Sequence, residues 1–427
     1  MCPPFLARLG SRFKYNEAMP RKICKHCEPV AGHPWHFSER AGSFLFPAKR
    51  IFLPAKRLLE SKFPKLLPRI HRVILYNLFK ALLAVRILKE VDISGGDETL
   101  PSRTLVVARE AARRGIPVKA LKFLGKESTN FFSINIKNKK VFFEVLPTED
   151  IAKISKIDFD DKDKFKQILK SDNLPRAKGE CFHNAKEGII YAKKLGFPLV
   201  VKPRLGSLSK HITCNIQNEA DLKKAIHIAQ IINPEFIVEK FIKGDVHRVT
   251  LVDHKMAGCC LREAPNVIGD GMHTITELIG IKNEHPWRGE THHKNFTLHK
   301  IIIDENTQFF LAKQGLTTES VLTEGKKVYL HSKIILKCGA DIHDKTDEIH
   351  PDNIALFEKI SRLCDTPLVG LDFICQDISR PYHRQECAVL EANSLPYIDM
   401  HHYPVTGQPR NVASLVMDYV LGDNGDK

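Results

Sequence analysis

The sequence predicts an α+β protein: mostly antiparallel sheet with helices laid on it, preceded by a small α/β unit and a basic, partly helical N-terminal segment. Three observations predict it. From Asp163 onward, β-rich runs and amphipathic stretches alternate with short connections. Between Thr104 and Pro147 a strand, helix, strand and hairpin pattern fits one compact α/β unit. Residues 1–90 hold 18 Lys and Arg against 5 Asp and Glu, so 18 − 5 = +13 of the chain's +15 lies there. These textures divide the chain into 1–92, 93–157 and 158–427.

At 427 residues the chain is too long for one ordinary core. Its 43% hydrophobic and 27% charged residues belong to a folded chain and argue against disorder. Because the basic excess sits at one end, the rest is nearly neutral, and no specific nucleic-acid partner is expected. Eleven scattered cysteines suit free thiols in a reducing compartment. The opening MCPPFLARLGSRFKYNE has no secretory pattern, and Val73–Leu88 is broken by Asn77, Lys80 and Arg86, too short and charged to span a bilayer. A cytoplasmic protein is expected.

In the first segment, Ile70, Ile74, Leu75, Leu78, Leu82 and Val85 have helical spacing. That helix either docks on the protein's own core or rests its basic face on an anionic membrane surface or other polyanion. Cys24, Cys27, His33 and His36 form C-x₂-C-x₅-H-x₂-H, whose second spacing is tighter than in common zinc modules.

In the α/β unit, TLVVA reads as a strand, REAARRG as a helix capped by Gly115, IPVKALKF as a strand and SINIKNKKVFFEVLP as a hairpin. An acidic linker, Asp158–Asp163, opens a helix over Lys164–Leu169. Phe197–Val201 reads as a strand, Ala220–Gln230 as a helix, Phe236–Phe241 as a strand, and Val246–Val252 with Lys255–Leu261 as a hairpin.

The residues that carry chemistry fall in three places. In GLDFICQDISRPYHRQECAVLEANSLP, Leu371–Cys375 and Ala388–Asn393 both read as strands. Glu391 and Asn393, two apart, leave the same face. Asp372 on the neighbouring strand would complete an all-oxygen set suited to Mg²⁺, or the three simply make a polar face. In FPLVVKPRLGSLSKHITCNI, a strand ends in Lys202 before a Gly/Ser turn, an arrangement that suits phosphate binding. Lys164, at the head of a helix, is a second phosphate lysine. In FIVEKFIKGDVHRVTLVD, a strand edge reads an adenine with Glu239 on its exocyclic amine, and Arg248 faces the reacting phosphoryl group.

The order KP, Gly/Ser-rich turn, VE-x-FI-x-G, R, LDF, LEANSLP resembles the ATP-grasp superfamily. LREAPNVIGDGMHTITELI, NEHPWRGETHH, LAKQGLTTESVLTEGKKVYL, DIHDKTDEIHP and MHHYPVTGQPRNVASLVMDYV narrow the likeness to the ATP-grasp portion of cyanophycin synthetase and related glutathione-synthetase-type domains. It covers roughly Asp163–Leu421. The resemblance implies that Lys164 and Lys202 contact the α- and β-phosphates of ATP, and that Glu239, Lys240, Phe241 and Ile242 hold the adenine. Asp372, Glu391 and Asn393 would bind Mg²⁺, with Mn²⁺ admitted by the same ligands. Arg248 and Arg262 would stabilise the transferred phosphoryl group and an acyl-phosphate. The expected activity is ATP-dependent ligation of a carboxylate to an amine, on small amino-acid or peptide substrates, in a homo-oligomer. An ATP-binding scaffold without turnover is the alternative.

Departures from the pattern bear on that choice. Where relatives carry a glycine-rich phosphate flap this chain has Gly206-Ser207-Leu208-Ser209-Lys210-His211, so Ser207 and Ser209 would stand in. Val246 takes the place of the ribose-binding acid, with Asp245 one position off. Lys337-Cys338-Gly339 replaces a Ser-x-Gly-Gly-like turn, and Tyr397 replaces the glycine that commonly follows E-x-N-x-x-P. The Mur-ligase-like half of a cyanophycin synthetase is absent, so synthesis of that two-amino-acid polymer by this chain alone is not expected. The histidines, among them His285, His292, His293, His299, His401 and His402, fit no common ligand spacing.

Overall fold

A computed structural model describes residues 80–93, 100–124, 127–136, 139–144, 146–147, 161–206, 210–291 and 293–422, together with 77, 23–24 and 31–32. Most of the N-terminal segment lies outside these. Ile23–Cys24 pairs with Ala31–Gly32, while Cys27, His33 and His36 of the candidate zinc motif fall outside the described residues. Of the predicted basic helix, residues 80–84 are helical. The chain divides into two compact units: residues 1–68, 157–243 and 387–391 in one, 69–156, 244–386 and 392–427 in the other.

The second unit contains the small α/β element. Its sheet runs β1 (Leu88–Asp92), β2 (Val118–Phe123), β3 (Glu127–Ile136), β4 (Lys139–Glu144) and β5 (Leu146–Pro147), each antiparallel to the next. The expected hairpin is formed by the pairing of Phe131–Ile136 with Lys139–Glu144. TLVVA, however, is helical, within α1 (Ser102–Arg113). Thr104 is buried, and Leu105, Val106, Val107 and Ala108 lie in one core with Phe132 and Phe143 of the sheet and Val416, Met417 and Val420 near the C-terminus. A helix covered nearly all round loses its polar stripe, and its β-branched run then imitates a buried strand.

In the first unit, α2 (Lys162–Ser171) has as its N-cap Asp161, which accepts from the Asp163 and Lys164 backbone N–H groups. Its antiparallel sheet comprises β6 (Gly179–Phe182), β7 (Leu199–Pro203), β8 (Thr213–Ile216) and β9 (Phe236–Lys240), in the order β8, β7, β9, β6. Helices α3 (Ala185–Leu195) and α4 (Glu219–Gln230) seal one face, burying Ala192, Leu222, Ala225, Ile226 and Ala229 with Leu199, Val201, Phe236 and Val238. This is the helix-on-sheet arrangement that the amphipathic spacing of Ala220–Gln230 predicts.

The larger sheet of the second unit is built on β10 (Asp245–Val252), which pairs on one side with β11 (Lys255–Glu263) and on the other with β12 (Val369–Cys375). β11 pairs in turn with Asp341–Asp344. Helix α5 (Pro351–Leu363) packs on one face, setting Phe357 edge-on to Phe373, with ring centroids 5.0 Å apart. The final helix, α6 (Val412–Leu421), lies against α1, where Arg114 bonds to Asp418 at 2.6 Å. Strand β13 (Cys387–Asn393) is divided, with Cys387–Glu391 in the first unit and Ala392–Asn393 in the second. No described helix is long and apolar enough to cross a membrane.

Candidate nucleotide and phosphoryl-transfer site

In the first unit, three ionic side chains meet beneath the sheet. Glu239 on β9 lies opposite Val200 of β7, two residues from the Ile237–Lys202 pair and on the same face as Lys202. Its carboxylate receives Lys202 Nζ on Oε1 at 2.6 Å and Lys166 Nζ on Oε2. All three are buried, Glu239 to 3% exposure. Burial by itself would raise the Glu239 pKa, but the attraction of Lys202 and Lys166 outweighs it and holds the carboxyl below its ordinary value. Burial depresses the Lys166 ammonium despite Glu239. One anion between two cations leaves a net positive charge in a low-dielectric setting, where an incoming phosphate is strongly favoured.

Helical geometry decides which lysines of DKDKFK point inward. Lys162 and Lys166, four apart, share a face, and both are buried. Lys162 Nζ donates to the Gly206 carbonyl at 2.5 Å, at the base of the Gly/Ser turn. Lys164, expected to be the phosphate lysine of this helix, projects away with its side chain about half exposed (48%), 3.6 Å from Asp161. The i, i+4 partner of Lys166 faces the buried cluster, and the residue between them does not. Lys164→Ala is expected to leave nucleotide affinity within about twofold, and Lys162→Ala to weaken it at least about tenfold. Titration with a fluorescent ATP analogue checks this, and equal losses would overturn the assignment. Ser207 and Ser209 lie outside the described residues.

The expected adenine edge is also partly rearranged. Lys240 Nζ donates to the carbonyls of Gly196 and Phe197, at 3.1 and 2.9 Å, so its side chain ties the α3–β7 turn instead of facing a ligand. The Lys240 and Phe241 N–H groups bond to Lys178 O and Pro198 O. The Ile242 N–H makes no such bond among the described residues, and Ile242 itself is buried.

In the second unit, the register sets Arg248 opposite Asp372 and Val246 opposite Arg262. Because side chains alternate, Arg248, Arg262 and Asp372 emerge on one face. Arg248 Nε donates to Asp372 Oδ1 at 2.5 Å, and Arg262 Nη2 to Oδ2 at 2.7 Å. Arg248 and Asp372 are each 4% exposed. Asn393 stands beside them, its amide nitrogen 3.5 Å from the Gly370 carbonyl, and Glu391 leaves the same face of β13 as Asn393. A carboxylate has about four lone-pair positions, and the two arginine bonds engage both oxygens of Asp372. Asp372 and Asn393 of this unit offer side-chain oxygens, the donor type that Mg²⁺ and Mn²⁺ take.

Asp245 and Val246 fall on opposite faces of β10. On its own face Asp245 is surrounded by Glu263 and Lys327. Burial and then the Glu263 charge raise its pKa. That face carries a second ionic group that motif reasoning passed over. Glu263, Asp341 and His343 lie close enough to share an ion. Their carboxylates are already neutralised, however: Glu263 accepts from Lys327 and Tyr329, both at 2.8 Å, and Asp341 from Lys282 and Arg288. The group ties the sheet to residues 266–330.

No family model matches the chain. It is 33% identical over 331 residues to a cyanophycin synthetase of Trichormus variabilis, covering 76% of this chain and 35% of that protein. It is 28% identical over 334 residues to the glutathione biosynthesis bifunctional protein of Clostridium perfringens, covering 76% and 42%. A crystal structure of the bifunctional glutathione synthetase from Pasteurella multocida superposes with a TM-score of 0.60 at 24% identity, covering 76% and 44%. The chain is an ATP-grasp protein. It spans about a third of the length of the cyanophycin synthetases it matches. The motif order is legible in the sequence. Lys162, Lys166 and the Arg204–Asp161 pair, bidentate with both bonds at 2.9 Å, were not singled out. The signal that would have found the lysines is the i, i+4 repeat within DKDKFK.

Proposed function

We propose that the protein joins a carboxylate to an amine at the expense of ATP, through an acyl-phosphate, on amino-acid or peptide substrates. The observation that carries this reading is the Arg248–Asp372–Arg262 cluster: two guanidinium groups held by one buried carboxylate on one sheet face. Phosphoryl transfer asks a protein for positioned charge more than for covalent chemistry. Guanidinium groups already desolvated and oriented cost no reorganisation when negative charge builds on the transferred group. Asp372, Glu391 and Asn393 would hold Mg²⁺, which supplies charge neutralisation at the phosphate oxygens. Lys202, Lys166 and Lys162 bind the phosphates, and the backbone at Ile242, whose N–H makes no backbone bond among the described residues, reads the adenine.

An ATP-binding scaffold that has lost turnover is favoured by one observation, Val246 at the ribose position with Asp245 on the opposite face. Measured ADP release separates the two. The purified chain, Mg-ATP and paired amino acids or short peptides should give substrate-dependent ADP, abolished in Glu391→Ala. Nucleotide binding with no turnover on any pair would favour the scaffold, and absence of ATP binding would sink both.

A further inference from the structure

Tyr397 occupies the position where the motif comparison expects glycine, and none of the chemistry above uses it. It directly follows Pro396, which packs on Gly370: a Cβ added at Gly370 would meet Pro396 Cβ at 2.8 Å and Arg248 Nη1 at 3.2 Å. One residue therefore separates Tyr397 from the wall that confines Arg248. Over the Tyr397 ring lies Arg103, the second residue of α1, with its guanidinium carbon 4.8 Å from the ring centroid. Both belong to the second unit, and both are accessible, Tyr397 to 37%.

A guanidinium stacked on an aromatic face is held in one plane while its N–H edge points outward, the geometry that grips a carboxylate with two parallel bonds. Among the described residues no carboxylate stands within ion-pair distance of Arg103. The neighbouring acid, Asp399, is buried and accepts from Thr297 Oγ1 at 2.7 Å; burial raises its pKa against the pull of Thr297 and of the Arg103 charge, which it feels from beyond ion-pair distance. Arg248 and Arg262 are, by contrast, already committed to Asp372. The second unit thus offers a third guanidinium, set apart from the transfer arginines and supported by a residue that departs from the motif. Amino-acid and peptide substrates carry carboxylates other than the one that reacts, and these need a separate anchor.

We propose that Arg103, braced by Tyr397, binds a non-reacting carboxylate of the amino-acid or peptide substrate, so that the enzyme selects substrates with a free α- or terminal carboxylate. The proposal rests on the ligase reading for the nature of its ligand, and its test can be scored separately. The probes are the twenty amino acids and their α-carboxamides, each titrated by thermal shift against the full chain with a non-hydrolysable Mg-ATP analogue. At least one free acid should bind wild type more tightly than its amide. Arg103→Gln should weaken that acid about 10- to 100-fold and erase the preference, while keeping the nucleotide shift. Tyr397→Leu, which leaves the charge and removes the ring, should reproduce part of the loss. An acid–amide preference equal in wild type and Arg103→Gln, or no such preference in wild type, would overturn the proposal. A preference that survives without any nucleotide shift would keep it and sink the ligase reading instead.

Discussion

Arg248→Ala is expected to lower substrate-dependent ADP release by about three orders of magnitude, the scale that arginines contribute to phosphoryl transfer. The reason lies in its setting. Arg248 is held by Asp372 at 2.5 Å and buried in the sheet, so its charge is fixed before substrate arrives. The loss should fall on kcat, because an interaction that strengthens with developing charge is made in the transition state rather than with bound ATP. Arg248→Lys should recover little, since a point charge on a flexible stem cannot reproduce a guanidinium that bonds the carboxylate through Nε. Steady-state kinetics with the ATP KM measured in parallel checks both. A large rise in the ATP KM with kcat unchanged would reassign Arg248 to nucleotide binding.

Glu239→Ala should be the most damaging change to folding in the first unit. It leaves Lys166 and Lys202 buried side by side without the carboxylate that both now touch. Removing one partner of a buried ionic group costs about 3–5 kcal/mol, mostly from the charges stranded behind. Glu239→Gln keeps the shape and removes the charge, and it also predicts a pH effect. The folded pKa of Glu239 is depressed below its unfolded value. Its contribution is therefore present above the unfolded carboxylate range, near pH ~4.3, and is lost as pH falls through the lower folded pKa. Wild type should lose stability on that acid limb more steeply than Glu239→Gln. Urea unfolding at pH 7 and at successive acid values measures it, and parallel limbs would show that the charge of Glu239 does not stabilise the fold.

The structure adds most where spacing along the chain and spacing across the fold diverge. Lys202, Glu239, Arg248 and Asp372 were legible because each sits inside or at the end of a short apolar run, which places a polar side chain on a strand without ambiguity. Lys162, Lys164 and Lys166 are not separable in sequence because they crowd one helical turn, and only the direction of burial separates them. TLVVA was misread for the complementary reason: burial on nearly all sides removed the polar stripe that marks a helix.

By itself, the sequence determined the order of the motifs, the α+β alternation and the chemical types available for phosphate, metal and phosphoryl groups, since composition and local periodicity depend only on neighbours along the chain. The tertiary structure alone decided which faces those groups share. Register made Arg248 and Arg262 partners of one carboxylate and turned Asp245 to the opposite side from Val246. Helix packing chose Lys162 and Lys166 over Lys164, and the meeting of α1 with the loop after β13 set Arg103 on Tyr397. These are contacts between residues far apart in sequence, fixed by strand pairing and core packing, and no local pattern encodes them.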